Sequence, residues 1–535
     1  MQPISRRSFL ALSASVVAAA CSNESGSDTR ASTTTAAPDT TSTTPAPSTT
    51  LAVPPADLPG DPFRLGVASG DPDAGSVVLW TRLAPDPLGG GGMPDADFEV
   101  LWEASRSDAF ATVAASGLAT AEAAHGHCVH AVATLDPGEW FYRFRIGEFT
   151  SPAGRTMPAP SAGQPLQEAR FAVGSCQNYA NGFYAAHRDI AEQRPDFMVW
   201  LGDYIYEGAG DEDAALDARV HLGPEPTTVQ QYRDRYARYK TDPHLQAAHA
   251  ACPWFVIWDD HEVENNYADL TPQDPAEAPT FRARRFAAYQ AWWEHQPTRL
   301  AAPTEENAEY RIYRDAQWGD LIELALLDGR QYRSDQACDD AVLSLAPACP
   351  ETTAIDRTML GAEQEQWLHD TLDASTAVWN VIGNQVILAD ATFNGAVLNY
   401  DQWDGYQFAR SELLRGFADR EIPNVVVLTG DIHLAAVAQL RWGDRGAGTP
   451  VGVEFVTTSI SSDGLVGVEL TELLQQFPDL LDVELGHRGY ALHTVTPNEW
   501  TAEYRIVTDV ASPDSEVTTY GTYVVQAGTN TVEQA

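Results

Sequence analysis

Five short apolar runs, each ending abruptly in polar side chains, constrain the fold of this sequence more than any other feature. The runs lie at residues 171–176, 197–206, 254–262, 379–384 and 425–433. Near-continuous apolar runs of this length predict strands that are covered on both faces. In sheets of such strands, ligands bind beyond the carboxyl ends of the strands. We therefore expect the five polar ends to converge at one edge of a sheet and to form one site.

The polar residues at these ends form a coherent set of metal ligands. They supply a thiol, carboxylates, an amide, a phenol and imidazoles: Cys176, Asp203, Tyr206, Asp259, Asp260, His261, Asn384, Asp431 and His433. Thiolate, phenolate and imidazole suit trivalent iron or a similar ion, whereas carboxylate and amide oxygens suit calcium or another hard divalent cation. Taken singly, Asp203 could be a helix cap and Cys176 a small buried hydrophobe. Five such ends together predict a shared metal site, in which a carboxylate such as Asp203 bridges two ions about 3.5–4 Å apart.

The charge balance narrows the choice of partners. The chain has 75 acidic and 33 basic residues, with a formal net charge of −42. Such a charge disfavours non-specific binding to nucleic acid or to an anionic lipid surface. It also repels anionic substrates at long range, so phosphate chemistry would need local positive charge, for which bound metal ions are the obvious source.

The N-terminus predicts an exported protein. Residues 1–21 contain the pair Arg6 and Arg7 followed by an apolar run, which resembles a twin-arginine signal. The apolar run is far shorter than the ~20 residues needed to span a bilayer. We expect an extracellular, cell-surface or periplasmic location.

A lipid anchor through Cys21 is an open alternative. Cys21 follows three alanines, as in a lipoprotein cleavage box, but Ala18 stands where such boxes usually carry a larger aliphatic residue. Residues 22–58 are rich in Ser, Thr, Ala and Pro and predict a disordered tether.

Two folded domains are expected after the tether. Residues 62–157 alternate short apolar segments with turn signals, which predicts a small antiparallel β-sandwich of the immunoglobulin or fibronectin type. Residues 158–165 form a linker rich in Pro, Ala and Gly. From residue 166 to 528, strands alternate with longer helical stretches, which is typical of an α/β domain.

Cysteines do not define this fold, because six are few for 535 residues. Cys338 and Cys349 flank a short loop, and we expect them to pair after export. Apart from these and Cys21, the chain contains three cysteines, namely Cys128, Cys176 and Cys252. Because three is an odd number, at least one of them should stay unpaired.

With these motifs in place, the sequence resembles the alkaline phosphatase D (PhoD-like) family of metallophosphoesterases. The resemblance runs from about Phe63 to about Gly528 and rests on these segments: 65–72, 174–176, 202–206, 258–262, 288–295, 328–333 and 430–433. It implies an α/β fold, a calcineurin-like metallophosphoesterase sandwich of two β-sheets flanked by helices, preceded by the small antiparallel β-sandwich.

The resemblance also implies an assignment of metal ligands. The residues implied to hold Fe³⁺ are Cys176, Asp203, Tyr206 and His433. The residues implied to hold Ca²⁺, together with the shared Asp203, are Asp260, Asn384 and Asp431. Asn265 and Asn266 compete with Asn384 for the amide position, and Asp259 is either a ligand or a partner of one.

The expected activity is hydrolysis of phosphate monoesters, diesters or both, by attack of a metal-bound hydroxide on phosphorus. His261, Asp203 and Asp260 are the expected catalytic residues. His261 would contact the phosphate or protonate the leaving group, with a carboxylate such as Glu262 or Asp259 orienting its ring, unless it is merely structural. The alternatives are a phospholipase D-like phosphodiesterase and an inactive cell-surface binding protein. A monomer is the default expectation.

Overall fold

The computed structural model describes most of the chain. The described residues are 51–535 apart from 211–215, 217–218, 305–308, 342–345 and 465–476. The predicted signal, Cys21 and residues 22–50 of the predicted tether lie outside these described residues. Within the described ranges, no helix has the length and apolar character needed to cross a membrane.

The strands in the described part of the chain fall into three sheets. Their bounds are β1 Val67–Asp73, β2 Ser76–Arg82, β3 Phe98–Ser105, β4 Ala115–Ala121, β5 Cys128–Thr134, β6 Trp140–Ile146, β7 Phe149–Thr150, β8 Gly154–Thr156, β9 Ala169–Gly174, β10 Phe197–Trp200, β11 Pro253–Val256, β12 Arg314–Trp318, β13 Ile322–Leu326, β14 Trp379–Gly383, β15 Val425–Thr429, β16 Ala435–Trp442, β17 Thr449–Val456, β18 Leu480–Glu484, β19 Arg488–Val495, β20 Glu499–Val507, β21 Val517–Gln526 and β22 Val532–Gln534. The α-helices are α1 Ala185–Gln193, α2 Val229–Lys240, α3 Pro243–Ala251, α4 Ala278–His295, α5 Gly361–Ala374 and α6 Gln407–Asp419.

Two of the sheets form a sandwich. The ten-stranded sheet has the order β22-β21-β20-β19-β9-β10-β11-β1-β2-β5, and the seven-stranded sheet has the order β12-β13-β14-β15-β17-β16-β18. The sheets meet through aromatic side chains, with ring centroids 4.6 Å apart for Phe197 and Trp318 and 5.6 Å apart for Trp379 and Trp500. Helices α5 and α6 pack on the outer face of the seven-stranded sheet, and α1 and α3 contact the ten-stranded sheet. The predicted α/β sandwich of two sheets flanked by helices is confirmed.

The strands with polar ends are divided between the two sheets, which differs from the expectation of a single sheet edge. Strands β9, β10 and β11 are parallel neighbours in the ten-stranded sheet, and β14 and β15 are parallel neighbours in the seven-stranded sheet. The ends still meet, because Gln385 Nε2 after β14 donates to the carbonyl of Trp258 after β11 at 3.0 Å. An apolar run shows that a strand is buried, but it does not show which strands pair.

The N-terminal sandwich shares one of its sheets with the larger domain. Strands β3, β4, β6, β7 and β8 form a separate five-stranded sheet, which packs on β1, β2 and β5 through an apolar core that includes Leu79, Val129, Trp102 and Phe144. Strands β1, β2 and β5 in turn extend the ten-stranded sheet, where β1 pairs in parallel with β11. Sheet pairing therefore crosses the domain boundary that the sequence predicts, and that boundary stays a prediction.

The cysteines are arranged as the sequence predicts. Cys338 and Cys349 form a disulfide with their Cα atoms 5.9 Å apart, so the predicted pairing is confirmed. Cys128, Cys176 and Cys252 are buried and free.

The pairing of β1 with β11 leaves no room for a side chain at Gly70. A Cβ atom there would lie 2.3 Å from the carbonyl oxygen of Pro297 and 2.6 Å from that of Trp254. We expect Gly70→Ala to destabilise the protein by about 1–3 kcal/mol, the usual cost of overpacking, and calorimetric melting measures the shift. Gly60→Ala is the matched control, because its Cβ would meet only Pro85 at 3.8 Å. Equal melting temperatures for the two variants would contradict this account.

Candidate metal centre

The strand ends bring acidic, thiol and imidazole groups together in three overlapping clusters. Within each cluster, the potential ligand atoms lie within 4.8 Å of one another. The clusters are Cys176 with Asp203 and His433; Asp203 with Asp260 and His261; and Asp203 with Asp259, Asp260 and Asp431. Asp203 belongs to all three, so its carboxylate stands where one group could be shared by two cations.

Tyr206 joins the cluster that contains the thiol. Its hydroxyl donates to Asp203 Oδ2 at 3.0 Å and lies 2.9 Å from His433 Nε2. His433 Nδ1 donates to the backbone carbonyl of Asp463 at 2.5 Å, which leaves Nε2 as the nitrogen with a free lone pair. Burial lowers the pKa of His433 to about 4, so the ring is neutral and able to act as a ligand.

The backbone at these residues is held in an uncommon conformation. Four of the cluster residues have left-handed φ angles, namely Cys176 at 58°, Asp203 at 55°, Asp431 at 64° and His433 at 57°. Left-handed non-glycine residues cost of order 1–3 kcal/mol each and persist where the surrounding structure enforces them. Such strain at four ligand-type side chains is characteristic of a functional site.

Glu262 fixes the loops that carry Asp203 and Asp259. Its carboxylate accepts the backbone N–H of Asp203 at 3.0 Å, of Tyr204 at 2.5 Å and of Asp259 at 2.8 Å. The two loops approach so closely that a Cβ on Gly202 would lie 2.6 Å from the backbone nitrogen of Asp259. Glu262 thus sets the separation of two acidic strand ends without joining the clusters itself.

A buried arginine supplies fixed positive charge beside the acidic cluster. Arg330 donates to Asp259 and, at 2.9 Å, to Asp401 Oδ1. Its Nη2 lies 3.7 Å from Asp260 and 3.8 Å from Asp431. Burial alone would raise the pKa of Asp401, but the nearby Arg330 and Arg333 hold that pKa below its ordinary value. The arginine therefore neutralises part of the acidic charge and orients the carboxylates that carry it.

The remaining acids are poorly neutralised by the protein alone. Burial raises the pKa of Asp203 well above its ordinary value, against a smaller opposing effect of His261. Burial also raises the pKa of Asp431 to about 6, with Asp260 adding to the effect, and it raises the pKa of the Cys176 thiol, with Asp203 adding to the effect. Like charges in a desolvated space disfavour ionisation, and bound cations reverse this balance.

His261 is oriented by Glu207, which corrects the expectation that Glu262 or Asp259 would do so. His261 Nδ1 lies 2.7 Å from Glu207 Oε2, and the ring stacks on Tyr206 with centroids 4.1 Å apart. Glu262 instead binds backbone N–H groups, and Asp259 binds Arg330. Burial opposes the imidazolium, but the carboxylates of Glu207, Asp260 and Asp203 together outweigh it and raise the pKa of His261 well above its ordinary value.

Three asparagines compete for the amide position in the predicted ligand set. The Asn384 side-chain oxygen is buried and has no hydrogen-bond partner among the described residues, and Asn384 follows β14, the neighbour of the strand that leads to Asp431. By contrast, Asn266 Nδ2 donates to Asp340 at 2.8 Å, and the backbone N–H of Asn265 donates to Glu207 at 2.7 Å. These two bonds involve N–H donors and not the side-chain oxygens, so Asn265 and Asn266 stay alternatives and the role of Asn384 as a ligand stays a prediction.

The residues in these clusters fit metal ions. Within the described residues, Asp203 Oδ1 and Asp259 Oδ2 are buried oxygens without hydrogen-bond partners, although buried polar atoms are normally satisfied. One side of Asp203 carries sulfur, nitrogen and phenol donors, and the other carries mainly carboxylates together with the imidazole of His261. This donor set suits a softer or trivalent cation on one side and a hard oxygen-binding cation on the other.

Several supporting residues were not assigned a role from the sequence. They are Glu207, Arg330, Arg333, Asp401 and Asp463. Three of them could have been suspected from their position along the chain. Glu207 directly follows the predicted ligand Tyr206. Arg330 and Arg333 lie in segment 328–333, on which the family resemblance rests. Nothing near Asp401 or Asp463 in the sequence marks them.

A two-sheet sandwich that carries such clusters at its strand ends has the arrangement of a metal-dependent hydrolase. Comparison with known proteins identifies the family. The PhoD-like phosphatase family model matches residues 171–504, and the model of the PhoD-like phosphatase N-terminal domain matches residues 46–160. The chain therefore belongs to the PhoD-like phosphatase family.

A curated sequence and a solved structure agree with this assignment. Alkaline phosphatase D of Bacillus subtilis (strain 168) is 40% identical over 476 residues, which cover 87% of this chain and 81% of the relative. The solved structure of PhoD superposes with a TM-score of 0.86 at 39% identity and covers 90% of this chain and 93% of the PhoD chain. The predicted family, enzyme class and fold are confirmed.

The three backbone hydrogen bonds of Glu262 make it a test of the metal centre. We expect Glu262→Gln to weaken metal binding by about 10- to 100-fold, the usual effect of removing a group that orients ligands. Metal content after dialysis against graded chelator measures the change. Glu323→Gln is the matched control, because Glu323 is a buried carboxylate in β13 that pairs with Asn380, at the opposite end of the strands. Equal metal retention in both variants would rule out this role for Glu262.

Proposed function

We propose that the protein is an exported phosphoesterase that hydrolyses phosphate monoesters, diesters or both with Fe³⁺ and Ca²⁺. The observation that carries the proposal is the position of Asp203, which lies in all three clusters of potential ligands. The proposed Fe³⁺ ligands are Cys176, Asp203, Tyr206 and His433. The proposed Ca²⁺ ligands are Asp203, Asp260, Asn384 and Asp431.

The protein positions charge around the phosphoryl group. When bound, the cations would neutralise phosphoryl oxygens and lower the pKa of a water that attacks phosphorus. Arg330 keeps Asp260 and Asp431 in place through its buried guanidinium. The whole chain has a net charge of −42, which repels an anionic ester at long range. The local positive charge of the cations and Arg330 would make such an ester a suitable substrate.

His261 is suited to donate a proton to the leaving oxygen. It lies in one cluster with Asp203 and Asp260, and its side chain keeps 20% of its surface exposed. Because Nδ1 faces Glu207, Nε2 is the nitrogen that can donate to a substrate. Glu207 favours the protonated ring, as a general acid requires.

The alternative activity, hydrolysis of phosphate diesters, would use the same site. A phospholipase D-like phosphodiesterase would use the same cations but needs room for a second ester arm. Membership in the PhoD-like family and the geometry of the clusters are compatible with both activities, so the preference is a matter for turnover measurements.

The metal requirement gives the first test. We expect chelation to lower turnover of an aryl phosphate monoester and its matched diester by about 100-fold or more, because cations supply several kcal/mol of charge stabilisation. Initial rates at mildly alkaline pH measure the loss. Addition of Fe³⁺ with Ca²⁺ should restore activity, whereas Mg²⁺ alone should not. Full turnover after removal of both metals would contradict the proposal.

The proton-donor role of His261 predicts a dependence on the leaving group. We expect His261→Gln to lower kcat by about 100-fold or more for an alkyl ester, the range of general acid catalysis, and much less for a nitrophenyl ester, whose anion leaves without a proton. Glu207→Gln should show the same pattern with a smaller loss. An equal loss for both esters would assign His261 a binding or structural role instead.

Export by the twin-arginine route is a separate part of the proposal. We expect replacement of both Arg6 and Arg7 by lysine to retain the protein inside the cell, because this route reads the arginine pair. Cell fractionation measures the distribution. Cys21→Ser is the companion variant and should leave export intact while releasing any lipid-anchored fraction. Normal export of the double lysine variant would contradict the assigned route.

A further inference from the structure

Helix α2 contacts both backbone polar groups of Tyr206, a predicted metal ligand. The backbone N–H of Tyr206 donates to the hydroxyl of Tyr239 at 3.0 Å, and its carbonyl accepts a hydrogen bond from Arg235 Nη1. Arg235 and Tyr239 are four residues apart in α2, so they lie on the same face of the helix. One regular element therefore holds Tyr206 through both its N–H and its carbonyl.

Arg235 has an unusual environment for a buried arginine. It is only 3% exposed, and it forms no ion pair within the described ranges, whereas the buried Arg219 pairs with Asp242 at 2.6 Å. Burial of an unpaired charge is unfavourable, and burial lowers the pKa of Arg235 accordingly. The bond to the Tyr206 carbonyl gives this guanidinium a reason to lie in the protein interior.

A neutral hydrogen-bond chain orients the hydroxyl of Tyr239. His221 Nδ1 lies 3.0 Å from the carbonyl oxygen of Gly208 and 3.3 Å from Arg235 Nη1. The closer carbonyl only accepts, so Nδ1 carries the proton, and Nε2 accepts the hydroxyl proton of Tyr239 at 2.9 Å. Burial lowers the pKa of His221 to about 3, which keeps the ring neutral. The Tyr239 oxygen is therefore presented to the N–H of Tyr206 as an acceptor.

Tyr206 needs such support because its backbone belongs to neither a helix nor a strand. Glu262 binds the backbone N–H groups of Asp203 and Tyr204, but its bonds do not extend to Tyr206. The phenol hydroxyl of Tyr206 nevertheless lies 3.0 Å from Asp203 Oδ2 and 2.9 Å from His433 Nε2. The two contacts from α2 are what hold the backbone that carries this phenol.

We propose that Arg235 is a positioning residue that keeps the Tyr206 phenol oxygen beside Asp203 and His433, where the predicted Fe³⁺ would bind. This inference rests on the proposed function, and Tyr239 shares the task through the Tyr206 N–H. Without the bond from Arg235, the Tyr206 backbone shifts and its phenol moves with it. The phenol then no longer meets the other donors in one place.

The visible spectrum of the iron- and calcium-loaded protein tests this role without reference to turnover, because a phenolate bound to Fe³⁺ gives a charge-transfer band. We expect Arg235→Met to weaken this band. The same variant should lower iron retention against graded chelator by about 10- to 100-fold, the usual effect of removing a group that orients a ligand.

Two further variants separate positioning from folding. Arg235→Lys keeps a positive donor and should preserve more of the band and of the iron than Arg235→Met does. Tyr239→Phe removes only the acceptor oxygen and should also weaken the band. Melting temperatures verify folding. If Arg235→Met does not fold, these two variants decide the matter, and unchanged bands in both would overturn the inference.

Arg155→Met is the matched control. Arg155 is buried and also donates to backbone carbonyls, those of Pro195 at 2.9 Å and Ala251 at 2.8 Å, which belong to no predicted ligand. We expect this variant to keep the wild-type band and iron retention. Equal losses in Arg155→Met and Arg235→Met would contradict a specific role for Arg235.

Tyr206→Phe separates this inference from the proposed function. A wild-type band that Tyr206→Phe abolishes but Arg235→Met leaves unchanged would overturn the inference alone. Iron-loaded wild-type protein without such a band, or a band that survives Tyr206→Phe, would overturn the assignment of Tyr206 as an iron ligand and this inference with it.

Discussion

The carboxylate of Asp203 is the group on which the rest of the site depends. It lies within 4.8 Å of ligand atoms from three sets of residues, and one of its oxygens is buried with no hydrogen-bond partner among the described residues. Because burial disfavours its ionised form, the protein alone does not stabilise the charge. Cations on both sides of the carboxylate would do so, which explains why so many acids are held together in a buried space.

The fold supplies the means to hold these acids in place. Strand ends from two packed sheets contribute the ligands, and four of them have left-handed backbone angles. Glu262 joins neighbouring loops through their N–H groups, and Arg330 provides a positive charge that cannot move away because it is buried among carboxylates. The strain and the buried ion pairs reduce stability, and the large aromatic core between the sheets offsets that cost.

The sequence predicted the kinds of side chain in the site but not their supports. Cys176, Asp203 and His433 end apolar runs, so their convergence followed from strand geometry. The division of the strands between two sheets was not predictable, because burial on both faces is the same in either sheet. Glu207 rather than Glu262 orients His261, since adjacency in sequence does not determine which carboxylate a ring faces. The extension of the ten-stranded sheet by β1 depends on long-range pairing, which local patterns do not encode.

Anomalous X-ray scattering from crystals of the metal-replete protein tests the central claim most directly, since it locates iron independently of activity. Data recorded on either side of the iron absorption edge should show one iron peak between Cys176, Asp203 and His433. A second ion that does not respond to this edge should lie between Asp203, Asp260 and Asp431. A single ion that leaves Asp203 unshared, or iron bound away from Cys176, would contradict the account.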